Sequence, residues 1–242
     1  MGEFRTMRQD ATVPSRTGLL EVIVTSVEEA LEADRGGAGR LEVVRNLELG
    51  GLTPSVRTVQ DICQSVGIPV RVMLRCTESH TPSAEEVEQL SREAEQLAAL
   101  DIDGLVVGFL RNDQVDLSVT RQVLGRAPDL RATFHRAFDE TAHPLAEIER
   151  LKELHQVDRI LTSGGDGSLE MRAKRLERYQ QAAAPEITIL AGGGLDRTSV
   201  EELMSRTQLR EFHTCRAVRV PDTASGMVRA QLVRELVACL PR

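Results

Sequence analysis

The chain has no tryptophan, one tyrosine and five phenylalanines in 242 residues. With aromatics so scarce the core is expected to be aliphatic, filled by Leu, Val, Ile and Ala. Base-stacking surfaces for nucleic acid have almost nothing to be built from. The net charge of −7 and the lack of a long basic run also argue against nucleic acid as a partner. Lysine is nearly missing as well. Of 30 basic residues only Lys152 and Lys174 are lysines, and both fall in helical, surface-like patterns. A Schiff-base enzyme needs a lysine desolvated in a pocket, so that chemistry is excluded. The four cysteines (Cys63, Cys76, Cys215, Cys239) show no Cys-x-x-Cys spacing, and no His-x-x-x-His occurs. They imply a reducing compartment and no disulfide framework. No run approaches the roughly 20 apolar residues of a membrane span, and residues 1–18 lack the apolar segment of a secretory signal. That polar stretch reads as a disordered leader or a non-native extension, with Met7 an alternative start.

What is present is alternation. Short apolar runs at 19–24, 40–44, 68–74, 103–109, 130–135, 158–161, 187–191 and 210–212 read as strands. Between and after them, helical periodicity covers 27–35, 55–66, 84–100, 117–124, 144–155, 169–183, 199–206 and 227–240. Strands separated by helices of this length imply parallel βαβ units. Eight such units over about 220 residues predict a single (β/α)8 TIM barrel across residues 19–242, near the minimal size for that fold. A doubly wound open sheet is the alternative. It normally has fewer strands and one dominant glycine turn.

The stretch Thr133-Phe134-His135-Arg136-Ala137-Phe138-Asp139 organises the functional reading. An apolar strand runs straight into a histidine, an arginine and an acid. In a barrel, charged side chains gather at the carboxyl ends of the strands. Other strands deliver polar residues to the same level: Glu21, Glu42, Arg75, His213, and Thr162 with Ser163. Inward charges cost several kcal/mol unless they are paired. So many at equivalent positions point to a site, with Glu21, Glu42, His135 and His213 as acid–base candidates. Alternatively, Glu21 and Glu42 form structural ion pairs with Arg75 and Arg136. The planar forks of Arg75 and Arg136 suit a carboxylate or phosphate, and Asp139 would complete the binding side. Gly192, Gly193 and Gly194 follow strand seven, where barrels often bind phosphate through backbone N–H groups. The arginine-rich helix around 172–178 reads as a solvated face.

A metal is a further reading. His135 and His213 with Glu21 or Glu42 would suit Zn²⁺ or another divalent ion. Cu(I) prefers thiolates, and the cysteines near strand ends are Cys76 and Cys215, with His80 beside Cys76.

Taken together, Glu21-Val22, Arg40-Leu41-Glu42, Gly50-Gly51-Leu52-Thr53-Pro54-Ser55, Asp103-Gly104-Leu105-Val106, Thr133 to Asp139, Ile160-Leu161-Thr162-Ser163-Gly164, Ala191 to Gly194 and Glu211-Phe212-His213 resemble the CutC copper-homeostasis family. The resemblance implies a (β/α)8 barrel, a cytoplasmic homo-oligomer (dimer or tetramer) and a role in copper handling, with copper as the implied ligand. It carries no established reaction. The family commonly has cysteines just after Glu-Val of strand one and after the strand-two glutamate, where this chain has Ile23 and Val43-Val44-Arg45. The thiolates suited to Cu(I) are thus missing at the family positions, while the polar set is kept. The alternative is a barrel enzyme using Glu/His acid–base chemistry on a small anionic substrate.

Overall fold

A computed structural model describes residues 18–241. The leader expected over residues 1–18 therefore lies, apart from Gly18, outside the described residues. Eight parallel strands close into a barrel: β1 (Leu19–Val24), β2 (Arg40–Val43), β3 (Val70–Met73), β4 (Gly104–Val107), β5 (Arg131–Phe134), β6 (Val157–Thr162), β7 (Thr188–Ala191) and β8 (Glu211–Thr214). Each pairs with its sequence neighbours, and β8 returns to β1 with Glu21 opposite His213. The helices are α1 (Val27–Gly36), α2 (Val56–Ser65), α3 (Ala84–Ala98), α4 (Leu117–Leu124), α5 (Pro144–Leu151), α6 (Leu169–Ala183), α7 (Arg197–Arg206) and α8 (Ala230–Val237).

The local chemistry explains the boundaries. Ser26, Ser55, Ser83, Asp116, Ser168 and Asp196 each accept a first-turn backbone N–H and so start six of the helices. Gly37, in the left-handed conformation at φ 88°, ends α1. Two differences from the sequence reading stand out. Leu110–Arg111 pairs with Gln114–Val115 as a small hairpin before α4. The last helix begins at Ala230 and not at Met227, because Met227–Val228 pairs with Arg219–Val220.

The aliphatic core lies between the strands and the helices, as the composition requires. The barrel interior is different. Alternate strand residues point inward, and these include Glu21, Arg40, Glu42, Arg71, Arg159, Glu211 and His213. Arg40 and Arg71 head the largest fully buried side chains. A small apolar cluster of Ile23, Val44, Met73 and Val106, with the same inward parity, lies toward the carboxyl end. Arginine stems thus fill volume that aromatic rings occupy in other proteins. An all-aliphatic interior is corrected accordingly.

Candidate active site

At the carboxyl end of the strands lies a cavity of about 660 Å³, a size suited to a small molecule. Glu42 and Met73 line it from β2 and β3, and His213 from β8. Arg75 follows β3, His135 follows β5, and Cys215 follows β8.

Glu21 does not reach the cavity surface. It is fully buried beneath it, between Arg40 Nε and His213 Nδ1, the latter 2.9 Å from Oε1. Burial works to raise its pKa, but Arg40 and His213 outweigh this and hold the carboxyl below the usual range. The pairing of Glu21 with Arg75 or Arg136 is therefore corrected: Arg40, opposite Glu21 in the register, is the partner. The sequence signal was there, since Arg40 opens the strand two residues before Glu42 and shares its inward parity.

Glu42 stands beside this pair, with Oε2 3.3 Å from His213 Nδ1. The single Nδ1 proton goes to Glu21, so Glu42 Oε2 is buried with no hydrogen-bond partner among the described residues. Burial pushes the Glu42 carboxyl up to about 7, with His213 pulling down and Glu21 pushing up. Burial alone would lower the His213 pKa, yet the flanking Glu21 and Glu42 carboxylates raise it. His213 thus favours its cationic form.

His135 is the opposite case. Its Nδ1 accepts the N–H of Ala137 at 3.1 Å, which assigns the proton to Nε2. Burial lowers its pKa well below the ordinary value, and His80, Arg75 and Arg136 add to that. His135 is therefore a neutral imidazole whose Nε2–H has no partner among the described residues. Its ring lies on Gly108: a Cβ there would sit 2.2 Å from Nδ1 and Cε1. Only glycine leaves room for the ring. Arg75 supplies a third orphan, because Nε is buried and unpartnered. Its Nη2 donates to the carbonyl of Glu78. Three of the seven buried orphan side-chain atoms among the described residues thus belong to residues that line this one cavity: one carboxylate oxygen and two N–H donors. Buried polar atoms are rarely left unpaired without a reason, and a ligand is the simplest one.

Of the other expected binding residues, Asp139, Thr162 and Ser163 play a different part. Asp139 accepts from Thr162 Oγ1, from the Ser163 N–H at 3.1 Å and from Ser163 Oγ at 2.7 Å. It also pairs with Arg136 at 3.0 Å. These residues hold the β6 loop, and Asp139 has no oxygen to spare for a substrate. Gly192 packs against Leu161 and the Cβ of His213, while Gly193 and Gly194 border an adjoining cleft. His80, not assigned a place in the site from sequence, lines the cavity and pairs with Glu140 at 3.1 Å. The sequence offered no signal for this, since His80 sits on a loop without periodicity.

Among the described residues, Glu21, Glu42 and His213 place ligating atoms within 4.8 Å of one another. His135 is not in that group. Cys76 does not join it either: its thiol faces the Glu86 carbonyl, and burial pushes its pKa up to about 11. Cys215 lines the cavity alone, its thiol also pushed up by burial. The Cys76–Cys215 metal pair is thereby corrected. Two carboxylates and an imidazole are hard and borderline donors, and Glu21 is already committed to Arg40. The set does not fit Cu(I).

Fold and site together define a (β/α)8 barrel with a buried, partly unsatisfied Glu/His/Arg pocket at the carboxyl ends of its strands. The chain belongs to the CutC family, whose family model it matches over residues 18–218. It is 36% identical over 228 residues to a human protein named copper homeostasis protein cutC homolog, covering 91% of this chain and 82% of that one. It is also 36% identical to a family protein CutC of Xanthomonas axonopodis pv. citri (strain 306), over 88% of this chain and 86% of the relative. The crystal structure of CutC from Streptococcus agalactiae superposes with a TM-score of 0.76 at 25% identity, covering 81% of this chain and 97% of that chain. No described helix is long and apolar enough to cross a membrane.

Proposed function

We propose that this protein is a cytoplasmic, homo-oligomeric enzyme that serves copper homeostasis indirectly, by moving a proton on a small anionic carbonyl compound. The copper link rests on the names of its relatives. The observation that carries the chemistry is a trio of orphan atoms on residues that line one cavity: Glu42 Oε2, His135 Nε2–H and Arg75 Nε–H. A carboxyl titrating at about 7 is available in both protonation states at neutral pH, as a general base and then acid requires. In this reading Glu42 takes a proton from the carbon next to a carbonyl and returns it to the neighbouring atom. The neutral Nε2–H of His135 donates to the oxygen on which charge develops. Arg75 steadies the ligand through a polar group near the reacting carbon. No copper ion takes part in the step.

The test is solvent deuterium incorporation, followed by NMR, into a panel of small 2-oxo and 2-hydroxy acids and sugar phosphates. Wild type should label at least one compound. Glu42→Gln should slow labelling by about 100-fold or more, and His135→Ala by about 100-fold. Labelling by Glu42→Gln at the wild-type rate would refute the assignment. A Cu(I) titration tests the second reading, which the thiol of Cys215 on the cavity wall supports. One tight equivalent, lost in Cys215→Ser, would make copper the ligand; no tight site is expected.

A further inference from the structure

Next to the main cavity, the loops after β6 and β7 carry a matching feature. Each has two successive glycines in the left-handed region, Gly164 and Gly165 at φ 77° and 75°, and Gly193 and Gly194 at 83° and 75°. The loops approach so closely that a Cβ on Gly193 would lie 2.5 Å from the Ser163 Cβ. Two arginines of α6 stitch them from one side. Arg172 donates to the carbonyls of Ser163 (2.7 Å), Gly192 (2.9 Å) and Gly193 (3.1 Å), and Arg175 donates to those of Gly164 and Asp166. The arginine-rich helix is thus not simply a solvated face, because two of its guanidiniums turn under the loops.

This stitching has a consequence for the other side. In a planar trans peptide the C=O and the following N–H point in opposite directions. With the carbonyls of Gly192, Gly193 and Asp166 turned to arginine, the N–H groups of Gly193, Gly194 and Gly167 turn away from it. None of the three donates to an acceptor among the described residues. All three glycines line one cleft of about 350 Å³. Arg216, exposed after β8, also lines it, and its guanidinium makes no ion pair or hydrogen bond among the described residues. Arg172 and Arg175 likewise have no carboxylate partner there. The acids nearby are Asp139, saturated by its own contacts, Asp166 on the cleft itself, and Asp196 and Asp222 on the adjoining cavity. Asp196 accepts the Ser199 N–H and hydroxyl, so the first turn of α7 is already capped and is not the donor.

We infer that this cleft is a phosphomonoester subsite, held by Arg216 and the N–H groups of Gly167, Gly193 and Gly194. Three free amides and the forked donors of one guanidinium offer more than a carboxylate can accept, whereas the three terminal oxygens of a phosphate dianion can use them. The adjoining cavity of about 430 Å³ runs from Gly193, Gly194 and Arg216 to His213 and Cys215, which also line the main cavity. The substrate is therefore a small phosphorylated carbonyl compound, with its phosphate here and its reacting carbon at Glu42. The last step rests on the proton-transfer reading; the subsite itself does not.

Inorganic phosphate is the probe, titrated by calorimetry and thermal shift against the full chain. Wild type should bind it and melt at higher temperature. Arg216→Ala, a surface change, should weaken binding by about tenfold or more. Gly194→Ala, strained at its positive φ, should weaken it as well. Glu42→Gln should bind phosphate like wild type. Phosphate binding that needs Arg216, in a protein whose labelling activity ignores Glu42, would keep this subsite and remove the proton-transfer reading. No phosphate binding by wild type, or equal binding by Arg216→Ala, would overturn the subsite even if Glu42-dependent labelling of unphosphorylated acids were found.

Discussion

Glu42 owes its character to a competition it loses. Arg40 and His213 both give their protons to Glu21, leaving a second buried carboxyl with none. Its pKa stands at about 7 in the folded state against 4.5 when free. A carboxyl raised on folding binds its proton more tightly folded than unfolded, so stability falls as pH rises between those values and is flat beyond them. Near 1.4 kcal/mol per pKa unit, the loss is on the order of 3 kcal/mol. Glu42→Gln should therefore gain on wild type through about pH 4.5 to 7 in denaturant melts and keep that gain above pH 7. An unchanged difference across the range would show that Glu42 is ionised throughout. The same scale fixes His135. Gly108→Ala puts a methyl where the ring lies, so labelling should fall about as far as in His135→Ala while the fold is retained, as read by circular dichroism. Glu42 and His135 were legible in the sequence because polar residues in apolar strands are conspicuous. The orphan state of Glu42 was not, since it depends on which proton the closing strand β8 delivers to which carboxylate.

At the scale of elements, the carboxyl-end loops are held by side chains that looked like ligand contacts. Asp139 follows β5 but spends its oxygens on Thr162 at the end of β6 and on Ser163 just after it, tying the two strand ends together. Removing it strands the Ser163 N–H and two hydroxyls in a half-buried place. Asp139→Ala should cost about 1.5–3 kcal/mol and speed amide exchange at Gly164 and Gly165, measured by NMR. Unchanged exchange would mean that Arg172 and Arg175 hold the loop without it. Alternation alone made the eight strands and helices readable, because each is long enough to show its period. The two hairpins were not, since strands of two residues have no period to show. Asp139, Thr162 and Ser163 were placed at the right level of the barrel but given the wrong role. Sequence shows which residues reach a loop, not which of them satisfy one another first.

Across the whole molecule, a chain of ion pairs runs through the barrel from the cavity toward the amino-terminal ends of the strands. His213, Glu21, Arg40, Glu211, Arg159, Asp158, Arg71 and Asp103 follow one another, with Arg40 to Glu211 at 3.1 Å, Arg159 to Glu211 at 2.7 Å and Arg71 to Asp103 at 2.7 Å. Arg71 also grips Asp158 with two nitrogens, at 2.7 and 2.9 Å, and Thr133 at 2.7 Å. A chain short of aromatics and lysine fills its barrel with arginines, and buried arginines require carboxylates. The pocket inherits its electrostatics from this column, since the His213 proton given to Glu21 is what leaves Glu42 alone. Such a network is sensitive to the loss of one member and is weak evidence for net stability. Arg71→Met should cost about 3–5 kcal/mol in denaturant unfolding, because Asp158 and Asp103 lose their fork together. Arg71→Lys should recover little, as one ammonium cannot reproduce the fork. Adding Asp158→Asn to Arg71→Met should return part of the loss, since Arg159 keeps Glu211 and the uncompensated charge is gone. A double variant less stable than Arg71→Met would mean that the column acts through its hydrogen bonds and not through its charge balance.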